Sequence, residues 1–413
     1  MIEQLYLCQT KIQHYRKGPY ADHVDAFAGA LLAKGYSMHA ARRKMQIAAD
    51  LCKWIKRGRA KIEDLDECKA TEFLRARVNR GVAFHRHAPA ALRQFIEHLR
   101  DADIIPVPAQ EIDDSEICRM TNAYAQYLLK ERGLAQATLG NYIRETRRFL
   151  SDRFGGGAIK PDELRQEDIN RYILHRARAV SPGRAKITVT VLRSFLRFLH
   201  QRGETAINLS PAVPAVAMWR FSELPEYLEP DQVERILESC DRNTSAGLRD
   251  YAILLLLARL GLRPGEVANI TLDDIDWKAG ELIARGKSVR HDRLPLPHDV
   301  GEALAVYLRH GRPRCSSRRI FIRVYAPHQG FTDSVAVCDI VDRALSRAGI
   351  NTGRRGAGLL RHSLATRMLR GGASLSEIGE ILRHQLPTTT EIYAKVDIAA
   401  LRTLAQPWPG GGA

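Results

Sequence analysis

The sequence predicts a mainly α-helical protein with a small antiparallel β-sheet in its C-terminal half. Three observations carry that expectation. Apolar residues recur at helical spacing along most of the 413 residues. Two proline-rich breaks, Ile104–Ala109 and Asn208–Pro214, divide the helical pattern into separate units. Glu281–Ala284 and Arg293–Leu296 read as two short strands joined by a polar turn.

Taken in order, residues 1 to about 105 form a first helical unit. Its clearest segments are Tyr20–Lys34 and His39–Arg57, and Arg42, Arg43 and Lys44 place a basic cluster on the second. From Ser115 to Arg202 a second unit holds at least four helical segments, separated at Gly133, Gly155-Gly156-Gly157 and Ser181-Pro182-Gly183. The last of these, Arg184–Arg202, puts Ile187, Val191, Phe195, Phe198 and Leu199 on one side, with Arg193, Arg197 and Arg202 interspersed. Those arginines fit either a solvated face or a face against a DNA backbone. Beyond the second break, Asp231–Cys240 and Leu248–Leu260 are helical, then come the two strands, and helices resume at about Val335 and run nearly to Leu404. The expected division is 1–105, 110–207, 222–405 and a tail at 406–413.

Composition narrows the class of partner. A net charge of +16 and a pI near 9.7 arise mainly from arginine, which binds phosphate bidentately, so a nucleic acid is favoured over an anionic membrane. The apolar run Tyr251–Leu257 is too short to span a bilayer and reads as a buried core helix. Seven scattered cysteines without a Cys-x-x-Cys pair argue against structural zinc and against a disulfide framework, and for a reducing compartment. The amino end has no basic-then-apolar run of a secretory signal, so a cytoplasmic location is expected.

Four stretches carry chemistry. Gly261-Leu262-Arg263-Pro264-Gly265-Glu266 ends one helix at Gly261 and opens another at Pro264, so Arg263 projects from a helix junction. Lys287 lies in the turn between the strands, followed by Arg290. Arg361 falls in the first turn of a helix that stops at Gly371-Gly372, and Ser374-Leu375-Ser376-Glu377 is a capping box opening the next helix. His384 closes that helix, and Tyr393 follows nine positions later, after a second candidate capping box at Thr388–Glu391. Singly, each has an ordinary reading: a surface salt bridge from Arg263 to Glu266, a solvated turn lysine, a helix-end histidine, a half-buried tyrosine. Together, two guanidiniums, an ammonium, an imidazole and a phenol are what attack on a phosphodiester needs without a metal.

In this order and spacing the residues resemble the tyrosine recombinases of the phage-integrase family. That pattern has an Arg after Gly-Leu, a Lys in a β-turn, a His-x-x-Arg, a His or Trp, and the nucleophilic tyrosine nine positions on. Arg263, Lys287, Arg361, His384 and Tyr393 match it, and Ile381–His384 with Thr388–Tyr393 resembles the closing box. The resemblance is close over about Leu224–Leu404, looser over residues 113 to 205, and leaves residues 1 to 105 as an accessory, arm-like DNA-binding module.

It implies a helical core-binding domain before an α+β catalytic domain, acting on double-stranded DNA without cofactor or metal. Tyr393 would form a 3′-phosphotyrosyl bond, Arg263 and Arg361 would clamp the phosphate, Lys287 would protonate the leaving 5′-oxygen, and His384 would bond the phosphate or orient the tyrosine. Arg144, Arg147, Arg193, Arg197 and Arg290 are the expected DNA contacts. A homo-tetramer on DNA, alone or with other recombinase subunits, is implied, and Asp397–Leu404 resembles the terminal helix donated to a neighbour. The departure is Gly358, where the pattern has a histidine three residues before Arg361. His362 sits about 100° round the helix from Arg361 and is expected not to substitute, leaving Arg354, Arg355 and His291 as candidates. The alternatives are an accessory DNA-binding homologue that has lost activity and a type IB topoisomerase.

Overall fold

A computed structural model describes residues 2–17, 19–79, 87–107, 115–155, 157–217, 225–286 and 291–396. Lys287, Arg290, the expected terminal helix Asp397–Leu404 and the tail lie outside those residues. The chain divides into two compact units, one made of Met1–Val107 with Glu223–Ala413, the other of Pro108–Ser222.

The amino-terminal part of the first unit is helical: α1 (Ile2–Leu5), α2 (Gln9–Arg16), α3 (Ala21–Ala33), α4 (Met38–Arg57), α5 (Glu67–Asn79) and α6 (Ala88–Asp101). The α4 helix starts where the Ser37 hydroxyl accepts from the Ala40 N–H at 3.3 Å, and its apolar face buries Met45, Leu51, Cys52 and Ile55. Phe27 of α3 and Phe95 of α6 meet edge-to-face with centroids 5.1 Å apart in the same core. The Lys34 carbonyl at the end of α3 accepts from the His328 N–H at 3.1 Å, a link to the other segment of this unit.

The second unit holds α7 (Glu116–Lys130), α8 (Gln136–Phe154), α9 (Gln166–Ala179) and α10 (Pro182–Gln201). Tyr124 of α7 packs against Phe195 and Phe198 of α10, with centroids 5.1 and 5.2 Å away. Ile187 departs from the expected apolar side: it is 42% exposed, and Val189 and Leu192 fill the core instead. One turn from the start of α10 the contact stripe already follows 185, 188, 189 and 192, which leaves position 187 on the outer flank. Glu145 is buried in α8, where Arg148 and Arg176 pair with it at 2.9 and 3.1 Å and the Thr188 hydroxyl donates to it.

The rest of the first unit surrounds α12 (Ser245–Leu260), whose residues Ala252 to Ala258 are all buried. Around it stand α11 (Pro230–Glu238), the short α13 (Pro264–Asn269), α14 (His298–Val306), α15 (Val335–Arg347) and α16 (Gly358–Arg370). The antiparallel sheet runs β1 (Ile275–Asp276), β2 (Glu281–Arg285), β3 (His291–Pro295), with Leu282 opposite Leu294 and Arg285 opposite His291. The last described helix, α17 (Leu375–Ile381), opens on the expected capping box: the Ser374 N–H donates to Glu377 at 2.7 Å and the Ser374 hydroxyl accepts from the Glu377 N–H at 3.3 Å. The segment carrying Tyr393 is tighter than an α-helix, forming 3₁₀ turns at Pro387–Thr389 and Glu391–Lys395. Among the described residues no helix is long and apolar enough to cross a membrane.

Candidate active site

Gly261 ends α12 in the left-handed conformation, with φ at 56° and ψ at 31°. A Cβ there would lie 2.7 Å from the Leu382 Cδ2 and 3.0 Å from the Leu364 Cδ2, so those leucines would have to shift, and the left-handed backbone itself favours glycine. This turn puts the Gly261 carbonyl against Arg361, whose guanidinium donates both to it and to the Leu382 carbonyl. Arg361 is buried, and burial, then Arg263 and Arg383 nearby, lower its pKa to about 10.

Arg263 stands between α12 and α13. Its backbone N–H and its guanidinium each donate to Glu266 at 2.8 Å, and the guanidinium also reaches the Arg383 carbonyl at 3.2 Å. The ordinary reading, a salt bridge to Glu266, is thus present, but Glu266 is buried rather than on the surface. Arg383, in the left-handed region at φ 55°, pairs with the same carboxylate at 2.8 Å. Burial pushes the Glu266 pKa up, yet the Arg263 N–H and the two guanidiniums outweigh it and hold the group below its usual value. A carboxylate thus holds two guanidiniums in fixed places.

His384 lies 2.7 Å through Nδ1 from the Thr390 hydroxyl, which ties the turn after α17 to the first of the 3₁₀ turns. Burial, followed by Arg361 and Arg263, lowers its pKa to about 4, so the ring is neutral at pH 7. Tyr393 is 1% exposed and packs with Leu364, Ala365, Ile378 and Leu382; burial pushes its phenol up to about 12, with Arg361 opposing. Arg263, His384, Thr390, Glu391, Gly286 and His291 line one groove of about 980 Å³. Lys287 follows Gly286 directly in the chain and Arg290 comes three positions later, and neither is among the described residues.

The helix geometry predicts that His362 does not substitute directly for the histidine missing at 358, and the structure adds a contact that this geometry does not reveal. The His362 Nδ1 lies 2.9 Å from the Tyr393 hydroxyl, and the two rings are 5.7 Å apart. The 100° step from Arg361 is real, but Tyr393 arrives along that flank of α16 on its own segment, so the imidazole meets the phenol rather than the arginine's ligands. Gly358, the first residue of α16, is exposed, and a Cβ there would meet nothing within 4 Å. Of the other candidates, His291 lines the groove and Arg354 acts electrostatically on His362, whereas Arg355 lies in a separate depression beside Arg343 and Arg347. Sequence reasoning also missed Arg383 and Thr390, because a buried guanidinium and a buttressing hydroxyl carry no spacing signature of their own.

Four of the five expected DNA contacts fall in the second unit, and Arg290 lies outside the described residues. Arg144 and Arg147 are exposed on α8 and line a depression of about 510 Å³ with Arg148, His175 and Arg176. Arg193 and Arg197 are exposed on α10, where the Arg193 guanidinium donates to the Val213 carbonyl at 2.9 Å.

Comparison with known proteins covers nearly the whole chain. The phage integrase family model matches residues 226–399, and a model of the phage integrase N-terminal SAM-like domain matches residues 121–203. An inferred integrase/recombinase of Sinorhizobium fredii, y4rA, is 44% identical over 95% of this chain and 96% of its own length. The tyrosine recombinase XerD of Mycobacterium tuberculosis is 31% identical over 70% of this chain and 95% of its own. Among solved structures, a XerH site-specific recombinase in a post-cleavage complex with a palindromic difH substrate shares the fold with a TM-score of 0.57 and 17% identity. It covers 73% of this chain and 91% of that one. A lambda integrase tetramer bound to a Holliday junction has a TM-score of 0.53 at 18% identity, covering 80% of this chain and 87% of that one.

Proposed function

The chain belongs to the phage integrase family and is a tyrosine-type site-specific recombinase, and from that premise we propose that it cuts and rejoins double-stranded DNA through Tyr393. The phenolic oxygen attacks the scissile phosphorus, a 3′-phosphotyrosyl bond forms, and the 5′-oxygen leaves with a proton from Lys287. The new ester keeps the energy of the broken one, so a 5′-hydroxyl reverses the step without a high-energy cofactor. Arg263 and Arg361 neutralise the non-bridging oxygens as charge builds at phosphorus. In the tautomer whose Nδ1 accepts from the Thr390 hydroxyl, His384 would carry its proton on Nε2 and could donate to the same phosphate.

One observation supports this reading most: Arg361 and Arg263 converge on the end of α17, Arg361 donating to the Leu382 carbonyl and Arg263 to the adjacent Arg383 carbonyl at 3.2 Å. Like charges gathered in a partly dry site cost free energy that a bound phosphate recovers. Arg144, Arg147, Arg193, Arg197 and Arg290 are proposed to hold the flanking backbone. A homo-tetramer on two duplexes, alone or with other recombinase subunits, is proposed by likeness to the lambda integrase tetramer.

The test is a set of nicked duplexes covering the DNA that flanks the chain's own coding sequence, from which the short fragment bearing the free 5′-hydroxyl diffuses away after cleavage. The full-length protein is expected to accumulate as a covalent adduct resistant to denaturant, and Tyr393→Phe to give none. An adduct that persists in Tyr393→Phe, or no adduct with any such duplex, overturns the proposal.

A further inference from the structure

We propose that His362 is the base that takes the Tyr393 proton, help that a histidine at position 358 gives in the family pattern; the inference rests on the recombinase reading. As the oxygen attacks phosphorus, its proton passes to Nδ1 of the neutral imidazole, the phosphorus–oxygen 5′ bond breaks, and Lys287 supplies the proton for the departing oxygen. On religation His362 returns its proton to the tyrosine. No external acid, base or metal enters the balance.

The geometry is direct. Nδ1 lies 2.9 Å from the hydroxyl it would deprotonate, inside the range a general base requires. Among the groups placed near the tyrosine, His384 is already engaged through Nδ1 with Thr390. His291 is exposed on β3, across the groove that Arg263 and His384 line. The base also sits one residue from Arg361 on α16, so the group that frees the nucleophile and a group that holds its target move as one piece.

The surroundings keep His362 in the form a base needs. Burial first, then Arg361 on its own helix and Arg354 from the loop before it, lower its pKa, so it is unprotonated at pH 7. Tyr393 and His384 face it from the closing segment, and Arg263 and Arg383 stand beyond Arg361. A scissile phosphate among these cations brings the negative charge that makes an imidazolium tolerable there.

Two measurements on the full-length protein test it. The first needs no DNA: ¹⁵N-histidine NMR titration of wild type and Tyr393→Phe, with His362→Gln to assign the signal. Loss of the phenol is expected to shift the His362 midpoint and its Nδ1 resonance; an unchanged pair shows no proton link and overturns the proposal. The second is the single-turnover rate of adduct formation on the nicked duplex, with duplex affinity and circular dichroism as controls for folding. His362→Gln is expected to slow adduct formation by about 10²–10⁴-fold and to change its pH profile. Adding Gly358→His to that variant is expected to recover most of the loss, because a side chain at 358 meets no steric obstacle. A His362→Gln rate equal to wild type, or faster as removal of a latch would give, sinks this inference alone. A wild type that makes no adduct while the NMR link is intact sinks the recombinase reading beneath it.

Discussion

The Glu266 carboxylate holds both Arg263, at 2.8 Å, and Arg383, at 2.8 Å, and it is 6% exposed. Removing its charge while keeping its shape leaves two guanidiniums without compensation, which typically costs about 3–5 kcal/mol. Glu266→Gln is therefore expected to lower stability to urea by that order at pH 7 and to weaken phosphate binding through a displaced Arg263. The folded-state pKa of Glu266 is depressed, so its stabilisation is complete above the ordinary value of 4.5 and disappears as the pH falls through the lower folded value. The gap between wild type and variant should narrow accordingly in denaturation curves taken below pH 4.5; a gap constant with pH would remove the ion triad from the argument. At this scale Arg263, Arg361, His384 and Tyr393 were legible because order and spacing along the chain mark them. The contact of His362 was not, since a helical wheel gives the direction of a side chain but not which distant segment comes to meet it.

Between elements, the decisive junction is the end of α12. Gly261 combines a left-handed backbone, a carbonyl that accepts from Arg361, and side chains of Leu382 and Leu364 where a Cβ would stand. Gly261→Ala is expected to cost about 1–2 kcal/mol for the backbone and about 1–3 kcal/mol more for overpacking. Because the displaced group carries Arg361, adduct formation should fall by more than the loss of folded protein explains. A variant with a lowered melting temperature but wild-type single-turnover rate would separate the glycine from the site. This junction was legible, since Gly-x-x-Pro marks a helix end and a helix start, and so was the capping box at Ser374–Glu377. After the second box expected at Thr388–Glu391, the short helix that carries Tyr393 is 3₁₀ rather than α. There Thr390 pairs with His384 and the chain winds into 3₁₀ turns. Tertiary contact overrides a local propensity in so short a segment.

For the molecule as a whole, the proline breaks and helical periodicity were enough to read a mainly helical chain with a small sheet. What the amino-terminal helices do was not legible, because a packed apolar core with ordinary surface charge has no chemical signature. Net charge, by contrast, makes a quantitative demand. With +16 overall and exposed arginines on α8 and α10, binding to duplex should be dominated by counterion release. Each phosphate neutralised contributes about 0.9 to the slope of log affinity against log salt, so a footprint of roughly 6–10 contacts loses about 10³–10⁵ in affinity between 50 and 200 mM salt. Arg144→Ala and Arg197→Ala, whose side chains reach solvent, are each expected to reduce that slope by about one while leaving the fold intact. Arg193→Ala should differ, because its guanidinium also braces the Val213 carbonyl at 2.9 Å, and its loss should lower stability as well as affinity. Fluorescence anisotropy of a labelled duplex across a salt series, paired with thermal melts, separates the two effects. Slopes unchanged in Arg144→Ala and Arg197→Ala would move the DNA path off these helices, and the basic face of α8 and α10 would then be no more than a solvated surface.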